Sequence, residues 1–215
     1  TNIVVTPTSF ETDQLPAEFQ LEVVAHFDDG SVRRVTADTV YVSQNDDAVL
    51  VDVGGRVTVR KPGQQTVIVR FADQVRELVE ASPASGLNGP ILFTGSSSVR
   101  MWHRIAEDLG QRSILNMGFG GSQMSDLLHY AQLLIIAQRP GKVFIYEGDN
   151  DIAHGKAPCR VMRDTRRLLR LLNRQLPGVP VVLISSKPSP SRWNLQKKYE
   201  RLNRKMERLC RKKQG

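Results

Sequence analysis

The chain has 215 residues, 40% of them hydrophobic and 24% charged, which suits a globular protein with one large core or two smaller ones. No apolar run approaches the roughly 20 residues of a membrane-spanning helix. Two cysteines, Cys159 and Cys210, are too few for a disulfide framework or a four-ligand metal site, and both read as plain thiols. The net charge of +8 is uneven: residues 1–89 hold 7 Lys/Arg against 13 Asp/Glu, and residues 90–215 hold 23 against 9. Such a split favours two modules over one mixed domain.

The opening "TNIVVTPTSF" has neither the basic start nor the apolar run of a signal peptide. Period two follows. In "FQLEVVAHF", Phe19, Leu21, Val23, Ala25 and Phe27 share one face, as strand residues do. "DDGS" supplies a tight turn at Asp29–Gly30, and "VLVDVGGRVTVR" reads as a hairpin turning at Gly54–Gly55. "KPGQ" turns again before a strand in "TVIVRF". Short strands with regular turns over about 80 residues predict an all-β sandwich for residues 1–80. The segments "DDGSVRRVT", "VDVGGRVTV" and "KPGQQTVIV" resemble the bacterial Ig-like domains of surface and secreted proteins. That resemblance implies an extracytoplasmic location, and no residue in this module suggests a site.

"ASPASGLNGP" is rich in small residues, Pro and Gly and has no periodicity, so residues 81–89 read as a linker. Beyond it the pattern alternates. Strands are expected at Ile91–Thr94, Ile114–Asn116, Val143–Tyr146 and Val181–Ser185. Helices are expected near Val99–Leu109, Met124–Ala137, Cys159–Leu176 and Leu195–Lys212. Apolar strands alternating with helices predict a parallel sheet in an α/β/α, flavodoxin-like domain over residues 90–215. In such sheets ligands sit beyond the carboxyl ends of the strands.

Three of those ends carry unusual residues: "GSSS" (Gly95–Ser98), "NMGFGGS" (Asn116–Ser122) and "EGDND" (Glu147–Asp151). A nucleophile needs an exposed hydroxyl on a rigid turn. An oxyanion hole needs unobstructed backbone N–H groups and a further donor. Ser, Gly and Asn are the residue types for those parts. Taken singly, each block is also explained by a helix cap or a flexible turn.

Together, in this order, the blocks resemble the SGNH (GDSL-like) hydrolases. "FTGSSSVRMW" is close to the subgroup in which Ser replaces the Asp of Gly-Asp-Ser and an Arg-x-Trp follows; "KPSPSRW" after the fourth strand also resembles it. The resemblance implies Ser97 as nucleophile, with Ser96 in the place of the Asp and Ser98 opening the next helix. It implies Gly121 and Asn150 as oxyanion donors and Arg100 and Trp193 as substrate-binding residues. The implied activity is hydrolysis of short-chain acyl esters, such as acetylated carbohydrates, through an acyl-enzyme and without metal or cofactor. A non-catalytic binding or structural protein on the same scaffold is the alternative.

One block departs from the family. Asp126–His129 and Asp151–His154 have the Asp-x-x-His spacing but precede the fourth strand, and no His follows that strand, so the general base and its Asp are expected in a segment beyond Gly215, and this chain is expected to turn over slowly or not at all. Of the four His, His26 lies in the β module, and His103 and His129 are expected within helices. His154, after "GDND", is the one placed to substitute as base. The basic segments "RVMRDTRRLLRLLNR" and "KKYERLNRKMERLCRKK" read as amphipathic helices with solvated faces, because no nucleic-acid fold motif accompanies them. The expected partner is a small-molecule or carbohydrate ester, not nucleic acid.

Limited proteolysis should first cut between Ala81 and Pro90, which lack apolar anchors. A first cut within residues 100–180, mapped by mass spectrometry, would contradict the two-module reading.

Overall fold

The computed structural model describes residues 2–43, 45–71, 73–81, 89–111 and 113–211. The chain divides into two compact units, Thr1–Asp73 and Gln74–Gly215. Residues 82–88 of the expected linker lie outside the described residues.

The first unit holds strands β1 (Asn2–Thr6), β2 (Ala17–Gln20), β3 (Glu22–His26), β4 (Val32–Arg34), β5 (Thr39–Ser43), β6 (Val49–Val51), β7 (Arg56–Val59) and β8 (Val67–Phe71). They pair antiparallel in the orders β1-β3-β4, β2-β7-β6 and β5-β8. "FQLEVVAHF" is therefore two strands in two sheets, not one. The break falls at Leu21, whose N–H donates to the Gly55 carbonyl at 2.9 Å instead of continuing one ladder. The period-two face survives the break, since Leu21, Val23 and Ala25 are all buried. The β6–β7 turn is held by the Asp52 carboxylate, which accepts the N–H groups of Gly54 and Arg56 at 2.9 Å each. An open groove of about 800 Å³ in this unit is walled by core aliphatics including Val5, Leu21, Val57 and Val67.

Residues 73–80, expected within the β-sandwich, instead form helix α1 (Asp73–Glu80), which lies in the second unit from Gln74 onward. Four parallel strands follow: β9 (Ile91–Gly95), β10 (Ile114–Gly118), β11 (Lys142–Tyr146) and β12 (Val181–Ile184), in the order β10-β9-β11-β12. Between them lie α2 (Ser97–Arg100), α3 (Ile105–Asp108), α4 (Met124–His129), a π-helical turn at Gln132–Ile136, α5 (Asp149–Ala153) and α6 (Pro158–Gln175). A 3-10 helix, Pro190–Leu195, runs into α7 (Gln196–Arg211).

Strand alternation gives the sheet two apolar faces. Phe93 and Phe144, paired in register, stack at 4.5 Å on one face and pack with Val99, Trp102 and Ile105 of the α2–α3 segment. Leu92, Leu115, Met117, Val143 and Ile145 are buried on the other. In β12 all four residues are only half-buried, as an edge strand's are.

The helix expected over Val99–Leu109 is instead two short ones. The Asn116 side-chain amide donates to the Val99 and Trp102 carbonyls at 2.8 and 3.3 Å. The same carbonyls accept the N–H groups of Trp102 at 3.0 Å and Ile105 at 3.3 Å, three residues on, so the segment passes through tight turns between the two helices. Asn116, the first residue of the second motif block, thus does structural work between β10 and α2.

Gly95 ends β9 at φ +126°, and a Cβ there would lie 2.0 Å from the Tyr146 carbonyl oxygen. Backbone on both sides leaves no room to yield. Gly95→Ala should therefore destabilise the second unit by about 3 kcal/mol or more, seen as a lowered urea midpoint. An unchanged midpoint would mean that β9 and β11 are not so closely opposed.

Candidate active site

Because β9 lies between β10 and β11, the segments that leave these three strands emerge side by side at the carboxyl end of the sheet. They carry Ser97, Gly121 and Asn150. Two backbone bonds hold the junction together: Ser96 N–H donates to the Tyr146 carbonyl at 3.0 Å, and Phe119 N–H donates to the Gly95 carbonyl at 2.9 Å.

The three serines have different environments. Ser96 is fully buried, and among the described residues its hydroxyl has no hydrogen-bond partner. Ser97 is half-buried and opens α2, where first-turn N–H groups have no intrahelical acceptor. Ser98 is exposed. Burial is the main cause of a raised Tyr146 pKa, with the Asp149 charge adding to it. Gly121 is exposed at φ +68°, a left-handed conformation that side chains rarely adopt.

Asn150 is buried, and its carboxamide is held at both ends. Nδ2 donates to the Ser122 carbonyl at 2.9 Å, and the Arg192 guanidinium donates to Oδ1 at 3.2 Å. These partners define which end of the amide is nitrogen. Nδ2 carries two hydrogens, so one remains for another acceptor.

Arg192 also lies 3.7 Å from the Asp149 carboxylate. It was not singled out by the sequence reading, although it precedes Trp193 within "KPSPSRW". Trp193 is 61% exposed on the same 3-10 helix. Arg100 ends α2, exposed, with no side-chain hydrogen bond or ion pair among the described residues.

His154 is the C-cap residue of α5, and its Nδ1 pairs with the Asn150 carbonyl at 2.7 Å. His103 lies in the turn between α2 and α3, not in a helix. His129 ends α4, its ring 4.7 Å from that of Tyr130. Among the described residues no imidazole hydrogen-bonds Ser97.

Beneath these groups lie buried carboxyls. Asp151 accepts the Met124 N–H at 2.9 Å and pairs with buried Lys156 at 3.1 Å, which ties α5 to the start of α4. Glu147 is buried and accepts a hydrogen bond from the Ser122 hydroxyl. Burial first, then the charge of Asp151, hold the Glu147 pKa well above the usual carboxylate range; the Ser122 bond opposes them. Ser186 Oγ donates to the Glu147 carbonyl at 2.8 Å, and Asn203 of α7 bonds both backbone groups of Ser186. One network thus links the ends of β11 and β12 to α7. Among the described residues no group of three or more His, Cys, Asp or Glu side chains forms a metal site.

Comparison with known proteins bears on the family and the fold. The GDSL-like lipase/acylhydrolase family matches residues 82–215. No curated protein matches the chain. Among solved structures, a GDSL-like lipase from Bacteroides thetaiotaomicron has 20% identity and a TM-score of 0.56, covering 67% of this chain and 76% of its own. A protein described as an acylhydrolase from Bacteroides fragilis has 18% identity and a TM-score of 0.55, covering 66% and 72%. A G-D-S-L family lipolytic protein from Desulfitobacterium hafniense has 14% identity and a TM-score of 0.52, covering 59% and 74%. At these identities the likeness concerns the fold.

The raised Glu147 pKa has a consequence for stability. The folded state holds this proton more tightly than the unfolded chain does. Its contribution is complete below the ordinary value of 4.5 and is lost as pH rises through the folded pKa. Glu147→Gln, neutral at every pH, should flatten that part of the stability–pH curve measured by urea unfolding. An equally steep decline in the variant would assign the effect to another group.

Proposed function

We propose a serine mechanism for this chain, which belongs to the GDSL-like lipase/acylhydrolase family and is by that membership a carboxylic ester hydrolase. The observation that carries the reading is the placement of Ser97, Gly121 and Asn150 at the ends of three adjacent parallel strands, with the Ser97 strand in the centre.

Ser97 Oγ attacks the ester carbonyl and its proton passes to a general base. The carbonyl oxygen becomes an oxyanion, held by the N–H groups of Ser97 and Gly121 and by the second Nδ2 hydrogen of Asn150. The C–O bond to the alcohol then breaks, and the alcohol leaves with the proton. Water attacks the acyl-Ser97 ester, its proton is removed in turn, and a carboxylic acid is released. Arg192 acts as a positioning residue, because it holds Oδ1 and so turns Nδ2 toward the strand ends. A substrate group would meet Trp193 and Arg100 on the outer side.

The antiparallel first unit supports reading it as an Ig-like module. With it comes an extracytoplasmic setting and an acetylated glycan as the ester, by association. No described imidazole bonds Ser97, so Ser97 rests as a neutral hydroxyl and acylation is slow. This feature favours the second reading, a hydrolase-like scaffold that binds without turnover.

The test separates the two. The chain is incubated with a fluorophosphonate, and adduct formation is followed by intact mass. A slow single adduct is expected, abolished by Ser97→Ala and slowed about 100-fold by Asn150→Ala. Turnover of 4-nitrophenyl acetate should fall some 10⁴-fold or more below an ordinary esterase rate of about 10 s⁻¹. An adduct on another residue would refute the Ser97 assignment, and no adduct at all would favour the binding protein.

A further inference from the structure

Helix α7 shows a one-sided charge pattern that the ester chemistry does not use. Its inner face buries Tyr199, Leu202 and Met206. At 100° per residue the opposite face carries Lys197, Arg201, Arg204, Arg208 and Arg211 as one narrow stripe. Arg204 and Arg211 are paired with Glu200 and Glu207 by one helical turn. Among the described residues Lys197, Arg201 and Arg208 have no carboxylate partner, over about 16 Å of helix axis.

The stripe works against the helix that bears it. Lys197 lies in the first turn, which holds no acidic residue and where the macrodipole favours negative charge. Lys197 and Arg201 are like charges four residues apart, as are Arg204 and Arg208, and such pairs are destabilising. A face that needed only solvation would mix charges, as it does at the two Glu. The stripe also has a fixed start, for α7 continues directly from the 3-10 helix that holds Arg192 on Asn150 and exposes Trp193.

We propose that the α7 stripe binds a linear acidic polysaccharide whose acyl ester lies at the Ser97 site. The substrate class is thus a carboxylate-bearing glycan, and this rests on the hydrolase reading given above. The charges of the polymer match the row of cations, and Trp193 offers an apolar ring face to a sugar next to the site. The other polyanions fit less well. A membrane surface requires an exposed apolar helix face, and that of α7 is buried. Single-stranded nucleic acid requires successive aromatic platforms, and the stripe has none.

Binding is measured by calorimetry on full-length Ser97→Ala protein, with de-esterified polygalacturonate as probe. Neutral arabinoxylan, single-stranded and duplex DNA serve as comparisons. Polygalacturonate should bind and arabinoxylan should not, with affinity falling about tenfold or more on raising salt from about 50 to 200 mM. The neutral triple variant Lys197→Gln/Arg201→Gln/Arg208→Gln should lose at least about tenfold in affinity while circular dichroism shows helix content undiminished. Unchanged affinity in the triple variant, binding to DNA alone, or no binding at low salt would overturn the proposal. Failure of the hydrolase reading looks different: polygalacturonate binding would still depend on α7, while the fluorophosphonate would not label Ser97.

Discussion

The second unit depends on how closely β9 and β11 approach at Gly95. At this point the strand has backbone and no side chain, and even a methyl group would overlap the Tyr146 carbonyl. The Gly95 carbonyl accepts Phe119 N–H from the β10 side, while the following N–H, that of Ser96, reaches Tyr146 on the β11 side. The chain is therefore fixed to both neighbouring strands at the last residue of β9 and the one that follows it. The next residue is Ser97. Its position is set by main-chain hydrogen bonds, which makes it as rigid as the sheet.

What lies under that junction is electrostatically tense. Glu147, Asp149 and Asp151 are all buried within five residues of chain. Three ionised carboxylates so close would repel strongly at low dielectric. The structure answers each differently: Lys156 pairs with Asp151, Arg192 approaches Asp149, and burial holds the Glu147 pKa well above the usual carboxylate range. Breaking a buried pair leaves an uncompensated charge, which is far costlier than the pair is favourable. Hence Asn150, between Asp149 and Asp151, sits on backbone that cannot readily shift, and a donor aimed at a developing charge gains from such rigidity.

Much of this was legible in the residues because it follows from periodicity. The four parallel strands fall within two residues of their expected bounds, since each is a short apolar run ended by Gly or polar residues. Helix α6 likewise follows from its spacing, with Val161, Leu168 and Leu172 inward and Pro158 at its first position. Breaks held by distant partners were not legible. The interruption after Arg100 is bridged by Asn116, sixteen residues away, and the break at Leu21 is held by Gly55 of the β6–β7 turn, more than thirty residues on. Arg192 was missed for the same reason: its meaning lies in Asn150, forty-two positions earlier. The three serines could be ordered only by family resemblance, and their burial now separates them physically. A carboxyl at position 96 would have added another buried acid next to Glu147, whereas serine leaves one small buried hydroxyl.

Helix α7 joins these layers. Its inner face places Tyr199 so that the phenol donates to the Asp149 carbonyl at 2.9 Å, and Asn203 so that it brackets Ser186. Through these contacts α7 supports the loop that presents Asn150. Its N-terminal extension holds the other end of the Asn150 amide through Arg192. A force applied to the outer face of α7 would therefore bear on Asn150 through two rigid contacts, one on its backbone and one on its side chain. A flexible tail carrying the same positive charge would lack that connection. The cations stand on the one helix whose position also determines where the Asn150 donor points.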